Sequence, residues 1–397
     1  MKIVICGAGN AAQTLIPLLA SDPQHHVIVY APLADEAERM NAAMLDTGLE
    51  ATFAPGPTRR GKPHLITADP AAAGPGAELV LLALPAFAHG EILSALAPHL
   101  PHTAWIGALP ARGGFDWQVR TLMPDHRGII FGLQTLPWAC RIQDWGRRVE
   151  VLGTKAQVDL AAWPAAQGSG VIATVAATVG EMIHVPLNPI SHFLALTLAN
   201  TGQIIHPGIM YGLFSQWDGQ PFTAQQAPLF YGGVDGETAN VLQIMSDEVQ
   251  MICRALEKAA PALDLSPVAP VEEWLLRSYP GQIDDTSSLH AAFNTNRAYA
   301  GLRAPVTEQG DGLFVPNFTA RYLTEDIPFS LLVSRGIGEL VGVQTPMIRR
   351  VIEWAQACMD RCYLVDGQVA GPDVAHSRVP QRFGMTSVAD LLANSAH

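Results

Sequence analysis

The chain has 397 residues, a formal net charge of −12, 49% hydrophobic residues and 15% charged residues. This composition is typical of a globular protein, and the length allows two domains that each bury a core. Only four lysines are present, too few to concentrate positive charge on one face, so we expect no nucleic-acid partner. No apolar run reaches the roughly 18 residues that a membrane helix needs, so we expect no membrane partner either.

The five cysteines are dispersed, and no CxxC pattern occurs. An odd, scattered set argues against a disulfide framework and suits a reducing cytoplasm. The chain also passes from Met1 straight into a strand pattern, without the apolar segment of a signal peptide. Cys358 and Cys362 stand one helical turn apart, but without His or Cys partners nearby they favour a core role over a metal site. We therefore expect a cytoplasmic protein with no metal.

Short apolar runs alternate with helical or loop segments through the first half of the chain. The first five predicted strands are apolar throughout their centres, which a parallel sheet covered on both faces requires. Residues 1–186 are therefore predicted to form a doubly wound α/β domain of the Rossmann type. All the predicted strands of this domain are 2–6, 26–30, 64–67, 79–84, 104–108, 129–132 and 149–152.

The spacing of apolar residues changes after residues 185–189, where two prolines predict a linker. Beyond it, apolar residues from 241 to 256 step by four, four, three and four, which is one face of a helix. Thr345 followed by Pro346 predicts the N-cap and first turn of another helix. Residues 187–397 are therefore predicted to form a mostly α-helical domain.

The glycine-rich segment at residues 7–12 follows the first predicted strand and opens an apolar helix. Gly7 permits a tight turn, Gly9 lets the backbone approach a pyrophosphate, and Ala12 stands where the third glycine packs helix on strand. Asn10 lies at the start of the helix, whose N-terminal amides and partial positive charge suit phosphates. The pattern predicts a nicotinamide dinucleotide site; the alternative is a glycine-rich turn in an unrelated α/β fold.

The segment after the second predicted strand bears on which dinucleotide binds. The acidic residue that usually ends this strand is missing, because Tyr30 is followed by alanine and proline. Asp35 and Glu36 come a few residues late, and Arg39 could instead accept a 2′-phosphate. Because the acidic side chains outnumber the arginine, we expect NAD rather than NADP.

His206 is a candidate acid–base residue in the second half of the chain. It lies in a helical stretch, residues 193–214, and precedes Pro207, which removes a backbone donor and predicts a kink. A kink can point the imidazole into a cavity, where it could take a proton from an ammonium group and return one. The alternative is an ordinary histidine capping a broken helix.

Arg321 and Asp326 are two further candidates. A guanidinium matches the two oxygens of a carboxylate substrate. Asp326 could hold the second nitrogen of His206, which would fix the tautomer and raise the basicity of the ring. On spacing alone, a surface Arg–Asp pair that opens a helix is the better explanation of these residues.

Several longer stretches occur in the order in which a known family carries them, from one end of the chain to the other. On these stretches the chain resembles the opine dehydrogenases, most closely those of the octopine dehydrogenase type. They are LPAFAH at 84–89, TLPWACR at 135–141, VEVLGTK at 149–155, the His206–Pro207 pair, RYLTEDIP at 321–328 and YLVDG at 363–367.

The resemblance implies a Rossmann domain, a helical domain of the 6-phosphogluconate-dehydrogenase C-terminal type, and an active site in the cleft between them. It implies NADH as cofactor and a catalytic dyad of His206 and Asp326, with Arg321 on the keto-acid carboxylate. Further implied positions are Gln118 and Thr135 in the keto-acid pocket, Trp274 at the amino-acid pocket and Pro85 beside the nicotinamide. A core tryptophan would explain Trp274 equally well.

One departure concerns the turn before His206, where Asn200 and Gly202 are small. We expect bulkier side chains there in an enzyme that uses arginine, so the sequence does not identify the amino-acid substrate. Separately, the sequence is compatible with either a monomer or a homodimer.

The implied function is the NAD(P)H-dependent condensation of an amino acid with a 2-keto acid through an imine. The first alternative is a hydroxyacid dehydrogenase or ketopantoate-reductase-like enzyme. Such enzymes rely on a lysine near the start of the helical domain, and no lysine lies between Lys155 and Lys258. The second is a non-catalytic NAD-binding protein, which would have no need for His206, Arg321 and Asp326 together.

Overall fold

The computed structural model describes residues 1–44, 47–54, 56–164 and 169–396. The chain divides into two compact units: Met1–Thr197 with the C-terminal residues from Leu392, and Leu198–Leu391. Among the helices of these described ranges, none combines the length and the apolar character that crossing a membrane requires.

The N-terminal unit alternates strands and helices for most of its length. Its strands are β1 (Lys2–Cys6), β2 (His26–Tyr30), β3 (Leu49–Phe53), β4 (Thr58–Gly61), β5 (Leu65–Thr67), β6 (Leu79–Leu82), β7 (Trp105–Ala108), β8 (Ile130–Leu133), β9 (Trp138–Asp144), β10 (Arg148–Thr154), β11 (Val158–Trp163) and β12 (Leu187–Pro189). Its helices are α1 (Asn10–Ala20), α2 (Glu36–Met44), α3 (Pro70–Ala73), α4 (Ala86–Leu96), α5 (Phe115–Leu122) and α6 (Ser169–Ile183), and α7 (Phe193–Leu198) ends the unit.

The main sheet has the strand order β12-β11-β8-β7-β6-β1-β2-β5. From β8 to β5 all neighbours run parallel, whereas β11 pairs antiparallel with β8. In the centre, Ile3 pairs with Val27 on one side and with Leu79 on the other, and all three are buried. Strands buried on both faces are what the apolar runs predicted, so the Rossmann-type α/β fold of this half is confirmed.

A second sheet, with the order β4-β3-β10-β9, packs against α1. The predicted strand at 149–152 lies in β10 of this sheet and not in the parallel sheet. The sequence did not predict β3, β4 or β9, because charged and polar residues interrupt their apolar pattern: β4 is TRRG and β9 is WACRIQD. One face of β9 is nevertheless buried, with Trp138 and Cys140 in the core of the unit.

The segment predicted as a linker takes part in the main sheet. Residues 187–189 form β12, which pairs in parallel with β11 at the edge of the sheet. The prolines suit this position, because an edge strand can lack a backbone donor on its open side. The N-terminal unit therefore runs on to Thr197, past the predicted division between residues 186 and 187.

The C-terminal unit is mostly helical, as predicted. Its helices are α8 (Gly202–Phe214), α9 (Gly236–Ala259), α10 (Val271–Ser278), α11 (Leu289–Thr295), α12 (Arg321–Thr324), a π-helix (Ile327–Leu331), α13 (Leu332–Leu340) and α14 (Pro346–Cys358). The division at Leu392 falls within the last helix, α15 (Val388–Ala396). Short strands accompany them: β13 (Phe222–Thr223), β14 (Val306–Gly310), β15 (Leu313–Pro316), β16 (Leu364–Val365) and β17 (Gln368–Val369).

Helices α8 and α9 pack closely because glycines of α8 face α9. A Cβ atom at Gly208 would collide with the side chain of Leu242, and one at Gly212 with that of Thr238. Polar contacts join α8 to the opposite segment: Asn200 donates to Ser330 at 2.8 Å, and Ser334 donates to Gln203 at 2.5 Å. These buried contacts fix the register between α8 and the π-helix–α13 segment.

The start of α14 is capped from another helix. Thr345 occupies the predicted N-cap position, but its hydroxyl makes no cap and instead accepts a hydrogen bond from Arg335. Glu248 of α9, which is buried, accepts the amides of Met347 and Ile348 at 2.8 and 2.9 Å. Burial raises the pKa of Glu248, and the two amides offset part of that rise.

Replacing Glu248 by alanine leaves the first-turn amides of α14 without their acceptor. We expect Glu248→Ala to destabilise the protein by about 2 kcal/mol, the range of a buried cap or a charge-assisted hydrogen bond. The measurement is urea unfolding followed by circular dichroism. Glu353→Ala, on the exposed face of α14, is the control and should change stability by less than about 0.5 kcal/mol. Equal losses in the two variants would contradict the capping role.

Candidate active site

Several predicted site residues of the N-terminal unit follow the carboxyl ends of parallel strands. The glycine loop follows β1, Pro85 follows β6 and Thr135 follows β8, while Gln118 lies on α5 after β7. These four strands are neighbours in the sheet, in the order β8-β7-β6-β1. In open α/β sheets this edge is where ligands bind.

The glycine loop has the geometry that a dinucleotide phosphate group needs. Gly7 has a φ of +113°, and a Cβ there would lie 3.0 Å from the Ala83 carbonyl oxygen, so only glycine fits without strain. Gly9 occupies the N-cap of α1, has no side chain to cap the helix, and a Cβ there would meet nothing within 4 Å. The open space at the helix N-terminus suits a pyrophosphate.

Two side chains of α1 tie this loop to the second sheet. Gln13 is fully buried; its Nε2 donates to the Ala8 carbonyl at 2.9 Å, and its Oε1 accepts the Gly146 amide at 3.1 Å. Asn10 accepts the Ile142 amide through Oδ1 at 2.8 Å, so this oxygen is used for structure. Ala12 is buried where α1 packs in the core. Gln13 was not predicted as part of the loop, because one of its partners, Gly146, is distant in sequence.

The turn that carries Pro85 is also held by a buried side chain. Pro85 takes the N-cap position of α4. His89, on the same helix, is fully buried, and its Nε2 donates to the Leu84 carbonyl at 3.0 Å. His89 belongs to the LPAFAH stretch, so the resemblance contained this residue although no role was inferred for it.

Gln118 and Thr135 occupy different surroundings. Gln118 is buried, and its amide lies over Gly90 of α4, where a Cβ would come within 2.8 Å of Nε2. Thr135 is half-buried in the connection between β8 and β9. The Leu136 carbonyl, in the same connection, accepts a hydrogen bond from the Lys155 ammonium at 3.0 Å.

The loop after β2 brings acidic and basic side chains together. Asp35 and Arg39 form an exposed ion pair at 3.6 Å, and the Arg39 guanidinium lies 4.8 Å from the centre of the Trp145 ring. Burial raises the pKa of Glu36, the first residue of α2. The guanidinium is therefore already engaged on two sides, by a carboxylate and by an aromatic ring.

In the C-terminal unit, the structure brings His206 and Asp326 into contact. Nδ1 of His206 lies 2.8 Å from Oδ2 of Asp326, across 120 residues of sequence. The carboxylate side chain is only 2% exposed, whereas the imidazole is 22% exposed. A carboxylate on Nδ1 holds the proton there and leaves Nε2 as the basic nitrogen.

The helix around His206 differs from the prediction. Helix α8 continues through Pro207, and the interruption falls earlier, at residues 199–201, between α7 and α8. Asp326 immediately precedes the π-helix, in which the Leu331 amide donates to the Asp326 carbonyl at 2.8 Å. Such wide turns are frequent at functional sites.

Tyr322 covers one face of the imidazole. The two ring centres are 4.3 Å apart and the ring planes differ by 18°, so the rings are stacked. Phe230 stacks on Tyr322 in turn, at 4.7 Å and 29°. The sequence did not single out Tyr322, although it lies beside Arg321 in the RYLTEDIP stretch.

Arg321 pairs with Glu325, whereas the alternative interpretation of the sequence had paired it with Asp326. Its Nε and Nη2 lie 2.6 and 2.5 Å from the same oxygen, Oε2, of Glu325. The guanidinium is 56% exposed, whereas Glu325 is buried. The two residues are four positions apart, and their contact fixes the Nε edge of the Arg321 guanidinium.

Trp274 lies at the far end of an aromatic cluster. Its ring contacts Tyr279, and further ring contacts run through Tyr299, Tyr231 and Phe230 to Tyr322 and His206. Burial raises the pKa values of Tyr231 and Tyr299, so these hydroxyls stay protonated. The structure thus connects Trp274 to the His206 region through packed rings, and not by direct ring contact.

These groups define what chemistry is available. A histidine with Nδ1 on a buried carboxylate can exchange protons through Nε2, and a nearby segment carries a guanidinium for an anionic group. Within the described ranges, no three His, Cys, Asp or Glu side chains come together to hold a metal ion. The glycine loop of the other unit is suited to a dinucleotide.

Comparisons with known proteins agree with this arrangement. Residues 189–359 match the family model of the alpha-helical domain of NAD/NADP octopine/nopaline dehydrogenase. The tauropine dehydrogenase of Arabella iricolor is 37% identical, over 98% of this chain and 99% of the relative. The octopine dehydrogenase of Mizuhopecten yessoensis is 38% identical, over 99% and 98%.

A solved structure of octopine dehydrogenase with NADH and L-arginine covers 100% of this chain and 99% of its own, with a TM-score of 0.91 and 37% identity. The resemblance inferred from the short stretches is therefore confirmed over the full length. The chain belongs to the opine dehydrogenase family, within the octopine/nopaline dehydrogenase type of NAD(P)-dependent oxidoreductases.

Proposed function

We propose that this chain condenses an amino acid with a 2-keto acid and reduces the resulting imine with NADH. Family membership supplies the reaction type, and the observation that carries the proposal for this chain is the 2.8 Å hydrogen bond between His206 and Asp326. A histidine in this state can serve as the acid–base group that the condensation needs.

The first step is proton transfer to His206. Nε2 takes a proton from the ammonium of the amino acid, and Asp326 stabilises the imidazolium that forms. The free amine then attacks the keto carbon, a C–N bond forms, and the carbonyl oxygen becomes a hydroxyl group. His206 returns its proton to that hydroxyl, which leaves as water and gives the protonated imine.

Held by the Gly7–Ala12 loop, NADH would supply the hydride that converts the imine carbon to that of a secondary amine. These steps consume one ammonium, one carbonyl and NADH and give one secondary amine, NAD⁺ and water. The amine then takes a proton from solvent and is released as the secondary ammonium. Because His206 both takes and returns a proton, the imidazole ends the cycle in its starting state.

We assign the remaining predicted residues by their chemistry. Arg321 would bind the keto-acid carboxylate, with Glu325 holding the guanidinium from its Nε edge. Gln118 and Thr135 would contribute polar contacts to the same substrate, and Trp274 would border the amino acid. On the cofactor side, Gly7, Gly9, Asn10 and Ala12 would form the phosphate loop and Pro85 would lie beside the nicotinamide.

NADH is the proposed cofactor in preference to NADPH. A 2′-phosphate would have to compete with Asp35 for Arg39, and Asp35 and Glu36 would repel it. The 2′-hydroxyl of NADH faces no such penalty and can donate to a carboxylate. The solved octopine dehydrogenase, which is similar over its full length, is described with NADH.

A cytoplasmic location is also proposed. All five cysteines are free in the structure, three of them buried, which suits a reducing compartment. The amino acid is the variable of the substrate screen, because relatives of 37% and 38% identity carry the names of different opines.

A substrate screen tests the function directly. Amino acids, L-arginine among them, are crossed with pyruvate, glyoxylate and 2-oxoglutarate, and oxidation of NADH and NADPH is followed by absorbance. We expect oxidation only when an amine and a keto acid are both present, and faster oxidation of NADH than of NADPH. Oxidation by a keto acid alone would favour the hydroxyacid dehydrogenase alternative, and tight NADH binding without turnover of any pair would favour a non-catalytic protein.

His206→Ala should lower kcat by about 10²- to 10⁴-fold, the range for loss of a general acid–base group. NADH affinity, measured by fluorescence titration, should stay nearly unchanged, because the dinucleotide loop lies in the other unit. His290→Ala, an exposed histidine of α11, is the matched control and should keep full activity. Turnover of His206→Ala at the wild-type rate would remove His206 from the mechanism.

Arg321→Lys should raise the KM for the keto acid by about 10- to 100-fold, because a lysine keeps the charge but loses the planar fork. The KM for NADH should not move. Steady-state kinetics with each substrate varied in turn separates the two effects, and Arg297→Lys, in an exposed ion pair of the same unit, is the control. An unchanged keto-acid KM would show that the carboxylate binds elsewhere.

A further inference from the structure

The face of the His206 ring is covered by an aromatic side chain that the acid–base scheme does not use. Tyr322 stacks on the imidazole with ring centres 4.3 Å apart and planes 18° apart. Phe230, which is buried, contacts both rings: its centre lies 4.7 Å from that of Tyr322 and 6.1 Å from that of His206. The three rings therefore form a compact cluster in which Tyr322 makes the closest contact with the imidazole.

Stacking of this kind favours the protonated imidazole. An aromatic face is the negative part of the ring quadrupole and attracts a cation whose centre lies within about 6 Å. The neutral imidazole gains packing from the same contact but no comparable electrostatic stabilisation. The stacking of Tyr322 therefore lowers the free energy of the imidazolium relative to the neutral ring.

Other groups near His206 act on different parts of the ring. Asp326 contacts the edge at Nδ1, and the ion pair of Arg321 with Glu325 lies on the same short segment as Tyr322. Tyr231, one ring beyond Phe230, interacts electrostatically with both Tyr322 and Asp326. The packed neighbours of α8 contribute uncharged side chains to its contacts: Thr238, Leu242 and Met245 from α9, and Trp354 from α14.

We propose that Tyr322 is a positioning residue whose ring face stabilises the protonated form of His206, while Asp326 fixes its tautomer. The six residues 321–326, at and just after α12, would then supply the carboxylate for the imidazole edge, the ring for its face and the guanidinium for the substrate. The inference rests on the proposed role of His206 as the acid–base group, and it names the residue that sets the strength of that base.

The first test removes the ring. In Tyr322→Leu, the midpoint of the His206 titration, followed by NMR of the ring nitrogens and assigned with His206→Ala, should fall by about half a pH unit to one unit. The acidic limb of the kcat/KM profile for the amino acid should move to lower pH by the same amount. Tyr322→Phe keeps the ring face and should restore both to wild-type values.

A matched control excludes a general effect of losing a tyrosine from this region. Tyr211 lies on α8 with His206, is half-buried and contacts Trp354 edge-on. Tyr211→Leu should leave the His206 titration and the acidic limb where they are in the wild type. An equal shift in Tyr211→Leu would overturn the proposal.

The second test keeps the shape of the ring and covers the case in which Tyr322→Leu does not fold. Phenylalanines carrying one, two and three fluorines are placed at position 322, which weakens the negative ring face stepwise at nearly constant size. The His206 midpoint should fall with each fluorine. A midpoint that is independent of fluorine content would overturn the electrostatic role of Tyr322.

The outcomes separate this inference from the proposed function. If His206→Ala keeps turnover, the proposed function fails, while the titration of the ring still tests the stacking. If His206→Ala is inactive but Tyr322→Leu titrates like the wild type, the stacking inference alone is overturned.

Discussion

The hydrogen bond between His206 and Asp326 is the constraint around which the C-terminal unit is arranged. It joins two segments that are far apart in sequence, and it requires a carboxylate to be buried, which is unfavourable unless the charge is paired and hydrogen-bonded. The surrounding structure holds the two partners in register. Asn200 with Ser330 and Gln203 with Ser334 tie α8 to the segment that follows Asp326.

The pairing of Arg321 with Glu325 affects what the guanidinium can do. A buried carboxylate balances its charge and holds the Nε edge of the guanidinium, so the side chain is oriented by the protein itself. In the proposed role of Arg321, orientation in advance would reduce the conformational entropy lost on binding, while the shared charge would moderate the attraction for a second carboxylate. The proposed arrangement would favour placement of the substrate over maximal affinity.

The sequence predicted the parallel sheet and the dinucleotide loop well, because both depend on local patterns: continuous apolar strands and a glycine loop between a strand and a helix. It did not predict the second sheet, whose strands alternate and carry charged residues, as in the TRRG run of β4. The Cβ-free geometry of Gly7 was foreseen, whereas the buried Gln13 that shapes the same loop was not, because one of its two partners, Gly146, lies 133 residues away.

At the C-terminal site, too, some features were predicted from the sequence and others depend on contacts between distant residues. The His206–Asp326 contact was foreseen from residue types together with a family resemblance, but the interruption of the helix before Asn200, the Glu325 partner of Arg321 and the Tyr322 stack depend on three-dimensional packing. Glu248 is a similar case, since the sequence marked Thr345 as the cap of α14 while the acceptor comes from another helix. Spacing along the chain cannot indicate a cap supplied from a distance.

The ties from Asn10 and Gln13 to the β9–β10 hairpin have a consequence for the modularity of this fold. The glycine loop is commonly regarded as a self-sufficient cassette of strand, turn and helix. Here two backbone donors that hold its side chains, the amides of Ile142 and Gly146, come from a hairpin encoded far downstream. A fragment that ended before the hairpin would keep every glycine of the loop and lose the groups that hold those glycines in place.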